Sequence, residues 1–262
     1  MSARSIRPRR SCPSAPAPAT VWAPGSTGCG SSASPRPPHN SGVSTVRSTR
    51  LVLIRHGQTP ANIAEQLDTV APGAGLTELG HLQAAAMPSA LIGQPIEAIY
   101  VSPLVRTHQT ATPLARARGL VPRALDGLRE VSAGERNGEH GTDLVRRYHR
   151  TIMSWTDGAQ DRLFGGENGP EFLARYDGAL LAICASGVSD AVVVSHGSAM
   201  RCWAAARAEN ITPAFARENV LSNTGTITVE RTAQGGWRVL DWNCETLGLR
   251  HLSETALVPV AG

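Results

Sequence analysis

Apolar positions along this chain follow two periods. Short, nearly continuous apolar runs occur at Arg50–Arg55, Ile96–Val101 and Ala191–Ser195, with a shorter one at Val121–Leu125. Runs of that length bounded by turn residues read as strands buried on both faces. Gly225–Arg231 and Trp237–Trp242 read as a further pair, separated by the hairpin-type signal Ala233-Gln234-Gly235-Gly236. Between the strands the period becomes helical. Thr77 is placed to cap a helix predicted through Ala86, ending at Met87-Pro88 because the residue before proline is driven out of the helical region. Thr107–Arg118 reads as a helix closed by Gly119, the stretch 141–184 as helical with an interruption at Gly165-Gly166, and 199–209 as a last helix. This alternation predicts an α/β fold of three layers, a mostly parallel sheet flanked by helices, with a small helical cap at about 131–185 inserted after the third strand.

Composition changes the picture at the N-terminus. The first 49 residues hold six arginines, no Asp or Glu, and abundant Pro, Ser, Ala and Gly, so they cannot bury enough apolar surface to offset ordering, and disorder is predicted. Without those arginines the remaining chain has 19 basic against 21 acidic residues, so the overall charge of +4 is a property of the tail. Residues 1–42 have the composition of a stretch translated from a misplaced start codon, with Val43 or Val46 as the beginning. Residues 50–250 are expected to form the folded domain and 251–262 a C-terminal tail. Arg9-Arg10 resembles a twin-arginine start, but Pro13, Pro16 and Pro18 interrupt the region where an apolar core would follow. The cysteines show no CxxC spacing, so no zinc site is indicated. A cytoplasmic monomer or homodimer is expected, with no nucleic-acid partner. No apolar run approaches the ~18 residues of a membrane span, so no membrane partner is expected either.

Candidate chemistry sits at strand ends. Leu53-Ile54-Arg55-His56-Gly57 and Val193-Val194-Ser195-His196-Gly197 each deliver an imidazole and a glycine to the C-terminal edge of a strand, 140 residues apart. That edge is where open α/β sheets bind ligands, and two central parallel strands would bring both histidines to one pocket. Arginine presents a planar fork of donors suited to phosphate, and glycine admits a sharp turn or close backbone approach. Arg106 follows another strand, and Leu128-Arg129-Glu130 adds a carboxylate.

Together these segments resemble the histidine phosphatase superfamily, the phosphoglycerate-mutase-like fold, over roughly residues 50–250. The resemblance rests on Arg55-His56-Gly57-Gln58-Thr59 with Asn62, Leu76-Thr77-Glu78-Leu79-Gly80 with Gln83-Ala84, Ser102-Pro103-Leu104 with Arg106-Thr107 and Thr110-Ala111, Leu128-Arg129-Glu130 with Gly134, Gly165-Gly166-Glu167, and Ser195-His196-Gly197. It implies a phosphatase acting on a small phosphorylated metabolite. His56 would be the nucleophile, forming a phosphohistidine that water hydrolyses. Arg55, Arg106 and His196 would surround the phosphate oxygens, Asn62 and the Gly197 amide would add donors, and Glu130 would be the general acid and base. With this much fixed positive charge no metal or other cofactor is expected.

Departures from the family pattern leave alternatives open. Glu135 and Glu139 share the loop of Glu130, although the Leu-x-Glu-x-x-x-Gly spacing selects Glu130. The loops at Leu67–Gly75 and Glu135–His140 are atypical, and the cap is too short for the long basic insertion of cofactor-dependent mutases. A phosphomonoesterase is therefore favoured, with a phosphoglycerate mutase or a non-catalytic phosphate-binding protein as alternatives. The run Arg146-Arg147-Tyr148-His149-Arg150 reads as a solvated helix face, because at helical spacing its charges cannot all meet one ligand.

Overall fold

A computed structural model describes residues 48–248; the disorder expected of residues 1–47 and the tail at 251–262 lie outside the described residues. Thr49, assigned by composition to the tail, is buried, and its hydroxyl donates to Val188 O at 3.3 Å.

The strands are β1 (Arg50–Arg55), β2 (Ala98–Val101), β3 (Arg123–Ala124), β4 (Asp190–Ser195), β5 (Thr226–Arg231) and β6 (Trp237–Asn243), in the sheet order β3-β2-β4-β1-β5-β6. The first four run parallel, and β5 is antiparallel to both β1 and β6. The apolar runs end where expected because each central strand is covered on both faces. Leu51, Leu53, Tyr100 and Val193 face one cluster, while Ile54, Ile99, Val101, Val192 and Val194 face the other. This is the three-layer, mostly parallel α/β arrangement predicted, with its antiparallel pair at one edge.

The helices are α1 (Pro60–Ile63), α2 (Glu78–Ala85), α3 (Met87–Ala90), α4 (Val105–Arg118), α5 (Thr142–Ser154), α6 (Gly169–Ala185), α7 (Gly197–Arg207) and α8 (Pro213–Glu218). α2 is capped by Thr77, whose Oγ accepts from Gly80 N, and α4 closes on Gly119 at φ +63°. α2 ends with Ala86 as its C-cap, just before Met87-Pro88 as predicted, but the chain does not leave the helical region there. Proline lacks an N–H but fits a helix's first turn, so α3 restarts there with Met87 buried. α3 and α4 cover the face of Ile54; α5, α6 and α7 cover the face of Leu53. Within the stretch expected as cap, α6 buries Phe172, Tyr176, Leu180 and Ile183 in the same cluster as β1 and β4. Among the described residues no helix is long and apolar enough to cross a membrane.

β1 and β4 are paired in register, Arg55 beside Ser195, so the residues that follow them, His56 and His196, leave the sheet side by side.

Candidate active site

The two histidine rings lie 5.2 Å apart between centroids, inclined at 62°. His56 is 4% exposed and His196 fully buried. His56 Nδ1 is 2.7 Å from Gly57 O, an acceptor, so Nδ1 carries the proton and Nε2 keeps its lone pair. Burial, then Arg106 and Arg55, hold the His56 pKa well below its ordinary value, so the ring is neutral near pH 7. Gly57 is required where it stands, since a Cβ there would lie 2.7 Å from Gly80 O. Its amide donates to Thr110 Oγ at 3.0 Å, fastening the loop to α4. From the opposite side Asn223 Nδ2 donates to His56 O at 3.1 Å and to Asn62 Oδ1 at 3.0 Å.

His196 is held between two partners. Its Nδ1 accepts from the Arg106 guanidinium at 3.3 Å, so Nε2 carries the proton and donates to Ser102 Oγ at 2.7 Å. Burial first, then Arg106, His56, Arg175 and Arg55, keep its pKa well below the ordinary value. A bound dianion reverses that electrostatic balance and favours a proton on Nδ1.

Arg106, buried in the first turn of α4, donates to Asp68 Oδ2 at 3.1 Å and to Asp68 O at 2.7 Å. Arg55 donates to Leu221 O at 2.6 Å. The Nε–H of each arginine is buried without a hydrogen-bond partner. The Arg55 stem lies against Gly197, where an added Cβ would sit 3.1 Å from Arg55 Cδ. Asn62 caps α1 reciprocally with Thr59, and its Oδ1 is engaged by Thr59 N and Asn223.

Glu130 is fixed at the start of α7. Its Oε1 accepts from Val131 N and Ala199 N, both at 2.9 Å, and Oε2 accepts from Ser198 N at 3.3 Å. Burial raises its pKa, while those amides and Arg106 pull the other way without overcoming it. With Ser198 N and Ala199 N given to Glu130 and Met200 N bonded to His196 O, the Gly197 amide is the one left for a ligand in this turn. The loop behind Glu130 is clamped by Arg175, which donates to the carbonyls of Gly127, Arg129 and Glu130 and pairs with Glu167 at 2.6 Å. Glu167 also accepts from Ser132 N at 2.7 Å. Replacing Arg175 with methionine strands a mostly buried carboxylate and three carbonyls, and should cost about 3 kcal/mol. A denaturant titration would read it as a lowered midpoint at unchanged slope; an unshifted midpoint would remove the clamp from this account.

A cavity of about 190 Å³ is lined by Arg55, His56, Asn62, Arg106, Glu130 and Gly197; His196 is not among the lining residues and is in contact with Arg106. Six of the expected residues therefore meet at the cavity, with the seventh held against one of them. Glu135 and Glu139 are not among the lining residues, and Glu139 is spent in a surface pair with Arg136 at 2.9 Å. Pattern reading did not find Asp68, Tyr148, His149 or Arg201, which also line the cavity. The basic run at 146–150 is split by helix geometry: Tyr148 turns inward, its hydroxyl donating to Val131 O at 2.5 Å, and His149 lines the cavity with Nδ1 at 2.9 Å from Ser198 Oγ. A buried Tyr inside a run of charged residues was the available signal.

The family model described as histidine phosphatase superfamily (branch 1) matches residues 51–245. The chain belongs to that superfamily. Among relatives, the PE-PGRS family protein PE_PGRS11 of Mycobacterium tuberculosis is 32% identical over 224 residues, a match covering 79% of this chain and 38% of that protein. Glucosyl-3-phosphoglycerate phosphatase of Mycobacterium tuberculosis is 32% identical over 174 residues, covering 62% of this chain and 76% of that enzyme. The native structure of the mycobacterial glucosyl-3-phosphoglycerate phosphatase superposes with a TM-score of 0.64 at 26% identity, over 76% of this chain and 100% of that one. Relatives of this chain thus include phosphatases, and also the probable phosphoglycerate mutase GpmB of Yersinia pestis, 29% identical over 79% of this chain and 97% of that protein; the six-stranded sheet described above is the fold shared with the solved phosphatase.

Proposed function

We propose that this histidine phosphatase superfamily member is a phosphomonoesterase that hydrolyses a small phosphorylated metabolite through a phosphohistidine on His56. The observation carrying the proposal is the state of that ring: neutral, its Nδ1 proton tied to Gly57 O, and its Nε2 lone pair left for the cavity. In-line attack by Nε2 forms the N–P bond as the ester P–O bond breaks, with Glu130 giving its proton to the leaving oxygen. Water, deprotonated by the same carboxylate, then displaces the imidazole and releases phosphate. Arg55 and Arg106 stabilise the charge on the transferring group with donors already in place before reaction, and His196 joins them once the bound dianion favours a proton on its Nδ1. Asn62 and the Gly197 amide extend this set. Asp68 must share Arg106 with the incoming phosphate, so it orients that guanidinium in the resting protein.

The arginines supply the charge that divalent ions supply in metallophosphatases, so turnover should be metal-independent. The test is incubation of the chelator-treated protein with phosphate esters, quantifying inorganic phosphate and rearranged ester in the same samples. Released phosphate at an undiminished rate is expected. Rearranged ester would identify a mutase, activity restored only by Mg²⁺ or Zn²⁺ would sink the metal-free mechanism, and binding without turnover would favour the non-catalytic alternative.

A further inference from the structure

Arg201 is a buried cation without a carboxylate partner. It lies in α7, is 6% exposed, and is absent from the ion pairs formed among the described residues. Its Nε and one terminal nitrogen donate to Ala216 O at 2.9 and 2.6 Å, and the same terminal nitrogen reaches Arg217 O at 3.1 Å. These carbonyls fix the guanidinium plane and leave the other terminal nitrogen without a hydrogen bond. Burying an unpaired cation is expensive. Burial, followed by the charge of Arg55 and opposed by that of Glu130, which forms no ion pair with it, brings its pKa down to about 10, still well above physiological pH, so the charge remains.

The position of this charge is specific. Arg201 lines the cavity that contains His56 and also an adjoining cavity, and the two share His149 and Val220. The adjoining cavity adds Arg150 and Arg217, with Asp157 already neutralised by Arg217 at 2.7 Å. Arg55 and Arg106 are enough for one phosphoryl group; of the carboxylates lining the same cavity Asp68 is paired with Arg106, and neither Arg201 nor Arg150 forms an ion pair among the described residues.

We propose that Arg201 is a specificity-determining residue that binds a negatively charged group on the leaving portion of the substrate, selecting phosphate esters whose alcohol is itself an acid. This rests on the phosphomonoesterase reading and narrows its substrate class. His149, held by Ser198, borders the same subsite, and α5 thereby supplies one wall of it.

The experiment compares matched esters of two lengths: 3-phosphoglycerate against glycerol 3-phosphate, and 6-phosphogluconate against sorbitol 6-phosphate. In each pair the esters differ chiefly in a carboxylate. The wild-type protein should favour the acid in at least one pair, and Arg201→Gln should reduce that kcat/KM ratio by about 10- to 100-fold, the scale of a lost charge-assisted hydrogen bond. A merely structural role for Arg201 would lower acid and neutral esters together and leave the ratio unchanged, which would overturn the proposal. So would equal kcat/KM within both pairs for the wild type, a measurement that stands even where Arg201→Gln fails to fold. Turnover of p-nitrophenyl phosphate reads the phosphomonoesterase proposal separately. Calorimetric binding of the same pairs to the wild type tests the subsite even in a protein that hydrolyses nothing, and equal affinities there would reject it.

Discussion

Replacing His56 with alanine is expected to lower phosphate release by at least about 10⁴-fold, because the proposed reaction passes through a bond to its Nε2. The fold should survive. The ring lies beyond the end of β1, makes its hydrogen bond to the adjacent carbonyl, and belongs to neither apolar cluster. A stability change of about 1 kcal/mol, or a few degrees in Tm, is the expected scale. Rapid quenching of the wild type with a ³²P-labelled ester should place acid-labile phosphate on His56, and the alanine variant should carry none. Label on another residue, or substantial turnover by His56→Ala, would overturn the mechanism.

The second large effect concerns Glu130 and depends on the leaving group. An alkoxide needs a proton as it departs, whereas nitrophenolate does not, so Glu130→Gln should slow phosphoenzyme formation from alkyl phosphates by about 10²–10⁴-fold while sparing the pre-steady-state burst of nitrophenol. Steady-state turnover of the nitrophenyl ester should still fall, because Glu130 also activates water in the second step. Equal suppression of both bursts, or the same selectivity from Glu135→Gln, would move the acid elsewhere.

The same assignments fix a pH profile. His56 is competent when neutral, so kcat/KM falls as pH drops through a pKa lying well below the ordinary imidazole value. Glu130 is competent as an acid when protonated, so kcat/KM for an alkyl ester falls as pH rises through a carboxyl pKa that burial has raised. The profile should be bell-shaped, and its alkaline limb should disappear in Glu130→Gln. An alkaline limb unchanged in the variant would assign that titration to another group.

The strands and most helices of this protein were legible along the chain because their determinants are local. Val192 and Val193 face opposite sides of the sheet and both are buried, so β4 needs a continuous apolar run. Gly119 closes α4 because only a residue tolerant of positive φ suits that cap. α8 escaped detection because six residues carry too little periodicity, although Thr212 caps it and Pro213 opens it. The two strand-end histidines could be paired in advance because parallel neighbours in register bring their ends together. Their chemistry could not be read that way. The proton on His56 is placed by a turn, and the state of His196 by Ser102 and Arg106, which lie 94 and 90 residues away in the chain. Asp68 meets Arg106 through a loop with no regular period, and Arg201 becomes an unmatched buried charge once α8 folds its carbonyls around it. Sequence by itself determined which groups reach the sheet edge, since period and capping act between near neighbours. Tertiary structure alone decided their protonation and partners, because burial and Coulomb interactions depend on distances in space between residues remote along the chain.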